Sequence, residues 1–340
     1  MSCEIQRDGS LQPFNSLAIE ARAKFLARVT DVRALARLRD DPLLRDLPRL
    51  VLGGGTNVVF SGDFDGLVIQ PAIPGVRDAG ESEGEALVEV GAGQSWPALV
   101  ERLVREGRGG LENLAMIPGH AGAAPVQNIG AYGMELAERL HGVRVWDWDR
   151  GEERWIAPQE CGFGYRDSVF KRAPPGSIVI TSITLRLPRQ WKPVIGYAEL
   201  ERELARSAVQ DPGPADIYEA VCALRRRKLP DPAELANAGS FFKNPIVARE
   251  QHAHLLERFP SMVSYPLAGG RFKLAAGWLI EACGLKGATR GRAGVYERQA
   301  LVLVNRGGAS GREILDLARE VQDRVRERFG VALEPEAVIV

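Results

Sequence analysis

The chain has 340 residues, of which 45% are hydrophobic and 26% are charged. This is the composition of a globular protein, and the length predicts two or three packed domains. Lysine plus arginine and aspartate plus glutamate both total 44, so no global positive field exists to attract nucleic acid or an anionic membrane. We therefore expect no nucleic-acid partner, and any anion has to be bound locally.

The N-terminal sequence MSCEIQRDGSLQPFN lacks the basic start and apolar run of a signal peptide, and no apolar stretch approaches the roughly 20 residues that span a bilayer. We therefore expect a cytoplasmic protein that does not associate with membranes. The four cysteines are far apart without a CxxC pair, and a helix would point His252 and His254 in different directions. These spacings predict reduced thiols and no metal site.

The first half of the chain alternates short apolar runs with glycine-rich turns. Residues 50–52 and 87–90 form runs of this kind directly before glycines, which predicts strands that end in turns. Ser95 then offers an N-cap, and Pro97 fits the first turn of a helix that ends near Gly107. Strands and helices are therefore mixed in this half.

The later elements are predicted by the same signals. Strands are expected at residues 143–146 and 178–187, and the pattern then weakens into a polar connector over residues 189–214. Asp216 is predicted to cap the next helix, and another amphipathic helix is expected over about residues 310–329. The pattern predicts an α+β protein with two strand-rich lobes and a smaller mixed domain after the connector.

Two glycine-rich segments are candidates for binding a cofactor. Residues 53–57, GGGTN, follow an apolar strand and could bring backbone N–H groups close to a pyrophosphate, but they match neither the Rossmann fingerprint nor the P-loop. Residues 117–133 combine small residues with side-chain amides, which suits the close approach of a flat ring such as a flavin. A tight turn and a structural loop remain the alternatives at this stage.

Six segments, in order along the chain, resemble the UDP-N-acetylenolpyruvoylglucosamine reductase family: GGGTN, GLENLAMIPG, APVQNIGAYG, FGYRDSVFK, AGSFFKNP and KLAAGWLIEACGLKG. The resemblance implies an α+β, vanillyl-alcohol-oxidase-like (PCMH-type) FAD-binding fold of two subdomains plus a C-terminal α+β substrate domain. The expected parts are residues 1–74, joined by a C-terminal strand at 330–340, then residues 75–205 and residues 215–329.

The same resemblance implies noncovalently bound FAD, NADPH as the hydride donor, and a monomer that acts on a small-molecule nucleotide sugar. His120 lies within the second glycine-rich segment, but nothing in the resemblance predicts that it is attached to the flavin. The FAD-binding residues that the resemblance implies are Gly53, Gly54, Gly55, Thr56, Asn57, Pro118, Gly119, Ala123, Ala124, Gln127, Asn128, Gly130, Ala131 and Tyr132.

The implied reaction reduces UDP-N-acetylglucosamine enolpyruvate to UDP-N-acetylmuramate, a step of peptidoglycan precursor synthesis. A hydride passes from NADPH to the flavin and then to C3 of the enolpyruvyl ether, which leaves negative charge at C2 and its carboxylate. Such a site needs a cation to stabilise the enolate-like transition state and a proton donor at C2.

By resemblance, the catalytic residues are Arg166, Ser240 and Glu336. Arg166 would hold the substrate carboxylate, since its fixed charge and fork geometry suit that task, and Ser240 would donate the proton. Glu336 would support proton delivery. Its rival Glu334 lies two residues away, and alternation along an extended segment does not separate the two side chains.

Further substrate contacts implied by the resemblance are Tyr197, Lys228, Asn244 and Gln299. Tyr197 assigns the chain to the family type in which a loop closes over the nucleotide. One departure from the family is Phe14–Leu17, which replaces an Asn-Thr-Phe run. Two other functions are considered: a different FAD-dependent oxidase or dehydrogenase on this fold, and a non-catalytic protein that binds a nucleotide sugar.

Overall fold

The computed structural model describes residues 3–207 and 209–340. The strands in this part of the chain are β1 Cys3–Ser10, β2 Arg22–Val29, β3 Arg49–Val51, β4 Val58–Val59, β5 Phe64–Pro71, β6 Val76–Ser82, β7 Glu85–Gly91, β8 Gly130–Ala131, β9 Met134–Glu135, β10 Leu140–Asp147, β11 Glu152–Ile156, β12 Ile178–Pro188, β13 Asn237–Ser240, β14 Ile246–Val247, β15 Ser264–Pro266, β16 Phe272–Leu274, β17 Thr289–Arg290, β18 Ala293–Val295, β19 Val302–Asn305 and β20 Val338–Ile339. The α-helices are α1 Arg33–Asp40, α2 Trp96–Arg105, α3 Val169–Arg172, α4 Ala198–Arg206, α5 Pro214–Lys228, α6 Arg249–Arg258, α7 Ala276–Ala282 and α8 Gly311–Phe329.

The chain divides into two compact units. The first contains the described residues up to Ser10, Arg22–Gly55 and Phe64–Arg227. The second contains Leu11–Ala21, Thr56–Asp63 and Lys228–Val340. Both units combine helices with strands, so the predicted α+β class is confirmed.

The first unit is built on two sheets. One has the order β1-β2-β5-β3, in which β5 runs parallel to both β2 and β3. The other is antiparallel, with the order β11-β10-β12-β7-β6. Trp146 of β10 and Val179 of β12 belong to the same buried cluster as Leu35 of α1 and Ile69 of β5, so one apolar core connects the two sheets.

Helix α2 packs in the core of the antiparallel sheet and confirms the helix predicted after Ser95. The Ser95 hydroxyl accepts a hydrogen bond from the Ala98 N–H at 3.5 Å, and Gly107 beyond the helix end has a φ of 73°. Leu99 and Leu103 are fully buried. Burying a leucine contributes about 1.5–3 kcal/mol, so packing contributes more to this helix than its cap does.

The second unit contains the sheet β13-β19-β18-β17, with α8 packed on β18 and β19. Ser310 and Glu313 form a capping box at the start of α8, and Gly330 ends the helix at a φ of 65°. The helix predicted over residues 310–329 is therefore confirmed. In the same unit, β20 pairs in parallel with β4, which holds the C-terminal residues.

Two local predictions were wrong. The region expected to be a polar connector contains α4, whose Leu200 and Leu204 lie one turn apart and are buried, while its other residues are charged or alanine. Asp216 does not precede its helix, because α5 already begins at Pro214. The Asp216 carboxylate instead reaches back from the first turn and accepts a hydrogen bond from the Gly213 N–H at 2.9 Å.

Candidate active site

In the first unit, the structure brings the two glycine-rich segments together. A Cβ added at Gly54 would lie 2.9 Å from the Cα of Gly119, and one added at Gly53 would lie 2.9 Å from the Cβ of Ala123. Real Cβ atoms essentially never approach other atoms this closely, so the absence of side chains allows the contact. The spacing explains why small residues are needed in both segments.

The second segment is also fastened to the turn that follows β7. Ala121 N–H donates to the Gln94 carbonyl at 2.8 Å, and Gly122 N–H donates to the Ala92 carbonyl at 2.9 Å. The segment forms a 3-10 helix at Ala121–Ala123. The predicted FAD-binding residues that lie in this one loop, in the β8 strand after it and in the turn that follows β8 are Pro118, Gly119, Ala123, Ala124, Gln127, Asn128, Gly130, Ala131 and Tyr132.

Asn128 shapes this loop with its side chain. Its amide N–H₂ group donates to the Glu135 carboxylate at 2.7 Å and to the Gly164 carbonyl at 3.3 Å, while its carbonyl oxygen accepts from the Ala137 N–H at 3.0 Å. The side chain is buried. Its predicted contact with FAD stays a prediction, and these bonds mean that the contact would come from the main chain.

Arg166 is held against the same loop. Its guanidinium donates to the Gly130 carbonyl at 2.8 Å, and the Lys171 ammonium donates to the Arg166 carbonyl at 3.1 Å. Ser168 caps α3 and donates through its hydroxyl to the Val126 carbonyl at 2.6 Å. The predicted cation therefore lies beside the predicted cofactor segment, within the first unit.

Backbone strain is concentrated in this part of the first unit. Asn128, Tyr132 and Arg166 have φ values of 44°, 48° and 55°. Asparagine tolerates this left-handed region, but tyrosine and arginine rarely adopt it, at a cost of about 1–3 kcal/mol each. Strain of this kind persists where the surrounding contacts enforce it, and it is most common at functional sites.

Tyr197 contacts the end of the same loop. Its ring meets the Tyr132 ring edge-on, with the ring centroids 5.5 Å apart. Burial raises the pKa of Tyr132, and the charge of Arg225 opposes that rise. Burial also lowers the pKa of Arg225. The Tyr132 hydroxyl is therefore neutral near pH 7 and keeps its proton.

Glu112 and Asn113 anchor the segment that leads to Tyr197, and the sequence analysis assigned neither a role. The Glu112 carboxylate accepts from the Trp191 indole N–H at 2.7 Å. The Asn113 amide donates to the Tyr132 and Val194 carbonyls, both at 2.8 Å. Both side chains are fully buried. The signal in the sequence was two adjacent polar residues between leucines in the GLENLAM segment.

In the second unit, main-chain bonds hold the Ser240 segment beside the Glu336 segment. The Glu336 N–H donates to the Phe241 carbonyl at 2.7 Å, and the Lys243 N–H donates to the Glu334 carbonyl at 2.9 Å. The Ser240 side chain is exposed at the end of β13, directly after Gly239, which has a φ of 67°. The predicted proton donor and its predicted supporting carboxylate thus lie on adjacent extended segments.

The structure distinguishes the two candidate glutamates. The Glu334 side chain is 75% exposed and pairs with the Lys243 ammonium at 3.4 Å. Glu336 is half-buried, and its carbonyl accepts from the Asn57 amide at 3.1 Å. These different surroundings favour Glu336 as the group with a defined position, although its catalytic role stays a prediction.

Asn244 and Gln299 both lie near the start of α7. The Asn244 side-chain oxygen accepts from the Ala276 N–H at 2.9 Å. The Gln299 side-chain oxygen lies 2.9 Å from where a Cβ on Gly277 would be.

Lys228 is the half-buried last residue of α5. Thr56, Asn57, Ser240 and Glu336 belong to this second unit as well, whereas Arg166 and Tyr197 belong to the first.

Comparison with known proteins supports one family across both units. A model described as UDP-N-acetylenolpyruvoylglucosamine reductase, C-terminal domain, matches residues 231–340, and an FAD binding domain matches residues 23–157. The UDP-N-acetylenolpyruvoylglucosamine reductase of Ralstonia nicotianae is 52% identical over 96% of both chains. The chain belongs to the UDP-N-acetylenolpyruvoylglucosamine reductase family. The reductase of Bordetella pertussis is 51% identical over 97% of this chain and 93% of its own length.

A solved structure of the family agrees. The crystal structure of UDP-N-acetylenolpyruvylglucosamine reductase (MurB) from Thermus caldophilus covers 99% of this chain and 98% of its own, at 26% identity and a TM-score of 0.65. The expected α+β FAD-binding fold and the family resemblance are thereby confirmed. The division into residues 1–74, 75–205 and 215–329 stays a prediction.

The first unit of this family member fits FAD on structural grounds. The two glycine-rich segments present half-buried main chain at Gly53, Gly54 and Gly119, and a Cβ at Gly53 or Gly54 would obstruct their approach. His120, in the same loop, has a buried ring nitrogen without a hydrogen-bond partner among the described residues. Half-buried main chain without covering side chains lets a cofactor rich in hydrogen-bonding atoms approach closely.

Gly54→Ala tests this fit. The added Cβ would collide with the Gly119 backbone, which cannot rotate away, so one segment has to shift. We expect the dissociation constant of FAD, measured by titration of FAD-free protein, to rise about tenfold or more, because a buried collision typically costs about 1–3 kcal/mol. Gly62→Ala is the matched control, since a Cβ there meets nothing within 4 Å. Unchanged FAD affinity in Gly54→Ala would contradict the fit.

Proposed function

We propose that this chain catalyses the NADPH-dependent reduction of UDP-N-acetylglucosamine enolpyruvate to UDP-N-acetylmuramate, a step of peptidoglycan precursor synthesis. The observation that carries the proposal is the 52% identity to a UDP-N-acetylenolpyruvoylglucosamine reductase over 96% of both chains. Bound FAD supplies the redox chemistry that links the NADPH donor to the enolpyruvyl acceptor. The substrate is a small-molecule nucleotide sugar.

Arg166 is proposed to bind the substrate carboxylate. Its guanidinium donates to the Gly130 carbonyl at 2.8 Å, and a guanidinium carries five N–H donors in a planar fork that matches a carboxylate. A fixed positive charge stabilises the negative charge that develops at C2 and its carboxylate during the reaction.

Ser240 is proposed to deliver the proton to C2, with Glu336 supporting that delivery. A serine hydroxyl is a poor acid on its own, so it needs a neighbouring group that supplies or stabilises charge. The bond between the Glu336 N–H and the Phe241 carbonyl holds the two segments in register. Lys228, Asn244, Gln299 and Tyr197 are proposed to contact the nucleotide part of the substrate.

The proposal also covers where the protein acts and what it binds. No helix in residues 3–207 and 209–340 is long and apolar enough to cross a membrane. We propose that the protein acts in the cytoplasm, because both proposed reactants are charged metabolites that do not cross a bilayer unaided. We also propose that it is a monomer. The zero net charge supports the absence of a nucleic-acid partner.

The test is an anaerobic absorbance experiment on the purified protein. We expect a flavin spectrum that NADPH bleaches and that returns when UDP-N-acetylglucosamine enolpyruvate is added. Recovery with oxygen but not with that substrate would favour a different FAD-dependent enzyme. A colourless protein that takes up no added FAD would refute the proposal.

A further inference from the structure

Asn237 lies in the second unit, three residues before the proposed proton donor Ser240, and is only 3% exposed. Its amide N–H₂ group donates to the Pro230 carbonyl at 3.2 Å and to the Leu235 carbonyl at 2.8 Å. Its side-chain oxygen accepts from the Gly239 N–H at 2.9 Å. Because carbonyls only accept and an N–H only donates, the two ends of the amide cannot be exchanged. The side chain is therefore held in one orientation and bonded to the residue directly before Ser240.

The bond to Gly239 coincides with a β-bulge in β13. Asn237 lies opposite Val304 of β19. Three residues later, Ser240 lies opposite Val302, which is only two residues away from Val304. A bulge of this kind bends the strand and changes the direction of a side chain, and bulges are frequent next to active sites. The direction of the Ser240 hydroxyl therefore depends on the shape of this bulge.

Main-chain bonds fix both ends of the bulge. Before it, the Asn237 N–H donates to the Ser16 carbonyl at 2.9 Å, and after it the N–H of the fully buried Phe241 donates to the Leu301 carbonyl at 2.8 Å. Between these ends, Gly239 has a φ of 67°, which glycine adopts without strain. The bond from the Gly239 N–H to the Asn237 side chain thus sets the path of the main chain up to Ser240.

We propose that Asn237 is a positioning residue for proton delivery, because its bond to Gly239 keeps the bulge in the form that presents the Ser240 hydroxyl to the substrate. A proton donor acts at hydrogen-bond distance, so a displacement of about 1 Å is enough to cost about 100-fold in rate. Asn237 acts through Ser240 and does not itself contact the substrate. The inference rests on the role of Ser240 in the proposed function.

Asn305 provides a matched control in the same unit. It is also 3% exposed, and its side-chain oxygen accepts from the Gly307 N–H, two residues later, at 2.9 Å. Its amide donates to the Leu17 carbonyl at 2.8 Å. The turn that it bonds, residues 306–309, contains none of the proposed site residues. Loss of the Asn305 side chain should therefore lower stability as loss of the Asn237 side chain does, without affecting proton delivery.

The experiment compares Asn237→Ser with Asn237→Ala in FAD-loaded full-length protein by anaerobic stopped-flow absorbance. The two side chains differ by one oxygen, and a serine hydroxyl can accept from the N–H two residues later. At saturating enolpyruvyl substrate, we expect flavin absorbance to recover within about threefold of the wild-type rate in Asn237→Ser, and about 10- to 100-fold more slowly in Asn237→Ala. Bleaching by NADPH should keep the wild-type rate in both. Asn305→Ala should keep both wild-type rates.

A double variant shows whether Asn237 acts through Ser240. If it does, adding Asn237→Ala to Ser240→Ala should slow recovery no further, because the hydroxyl to be positioned is already absent. Slowing by the product of the two single effects would overturn the proposal. Equal slowing in Asn237→Ser and Asn237→Ala, slowing of bleaching to the same extent, or equally slow recovery in Asn305→Ala would overturn it as well.

Thermal unfolding of each variant reports folding. If the smaller side chains do not support folding, Asn237→Asp and Asn237→Leu give the same comparison at nearly the original volume, because only aspartate can accept from the Gly239 N–H. Wild-type recovery in Asn237→Leu would overturn the proposal. If the wild type is not bleached by NADPH or does not recover with the enolpyruvyl substrate, the proposed function fails first. Wild-type recovery in Ser240→Ala removes the role of Ser240 alone, and the inference with it.

Discussion

Replacing Ser240 by alanine is expected to slow the recovery of flavin absorbance on addition of the enolpyruvyl substrate by about 10²-fold or more, while bleaching by NADPH stays near the wild-type rate. Proton donation by a positioned side chain typically contributes 10²–10⁴-fold, and only the second phase requires the proton. Ser240 is exposed at the end of β13, so its loss leaves no cavity in the core. Stopped-flow absorbance under anaerobic conditions measures both phases.

Ser261→Ala is the matched control for this substitution. Ser261 is also an exposed serine of the second unit, and it lies in a turn outside the predicted site. Both phases should keep their wild-type rates in this variant. Equal slowing of the two phases in Ser240→Ala would show that Ser240 acts on something other than proton delivery.

Local signals in the sequence predicted the elements whose caps and periodicity agree. The helix after Ser95 and the helix after Ser310 both have a capping serine and buried residues at helical spacing, so local and tertiary preferences coincide. Helix α4 lacks a capping side chain, and only Leu200 and Leu204 are buried in its nine residues. Its sequence nevertheless consists of strong helix formers with these two leucines one turn apart, so the prediction of a polar connector missed a local signal that was present.

Contacts between distant segments could not be predicted from local patterns. Glu112 lies 79 residues from Trp191, and Asn113 lies 81 residues from Val194. No periodicity connects positions so far apart, and a fully buried glutamate contradicts the usual preference for exposed charge. The family resemblance identified Tyr197, but only the structure shows which residues hold the segment before it.

Backbone strain, and the difference between the two glutamates near the C-terminus, could not be predicted from local patterns either. Tyr132 and Arg166 are residue types that rarely adopt a positive φ, so their conformation depends on surrounding bonds that form only in the fold. Glu334 and Glu336 are equivalent by alternation in an extended segment. The ion pair with Lys243 distinguishes Glu334 from Glu336, and that ion pair is a tertiary contact.

Arg166→Gln is expected to slow the substrate-dependent recovery of flavin absorbance by about 10²- to 10³-fold, with bleaching by NADPH close to wild type. Glutamine can still donate one hydrogen bond to the Gly130 carbonyl, but it lacks the charge and the fork. Removing one preorganised donor to developing negative charge typically costs 10²- to 10³-fold in rate. Arg166→Lys keeps the charge without the fork, so its rate of recovery should lie between those of Arg166→Gln and wild type.

Arg150→Gln provides the control, since Arg150 is a surface arginine of the first unit with a side chain that is 62% exposed. FAD affinity, measured on the same proteins, reports whether the loop around Gly130 keeps its shape. If Arg166→Gln binds FAD with wild-type affinity and is bleached by NADPH at the wild-type rate, but its flavin absorbance recovers slowly, the lost interaction is the one with the substrate carboxylate. Wild-type recovery in Arg166→Gln would remove the guanidinium from catalysis. Its left-handed backbone and its bond to Gly130 would then serve only to shape the turn between Gly164 and Asp167.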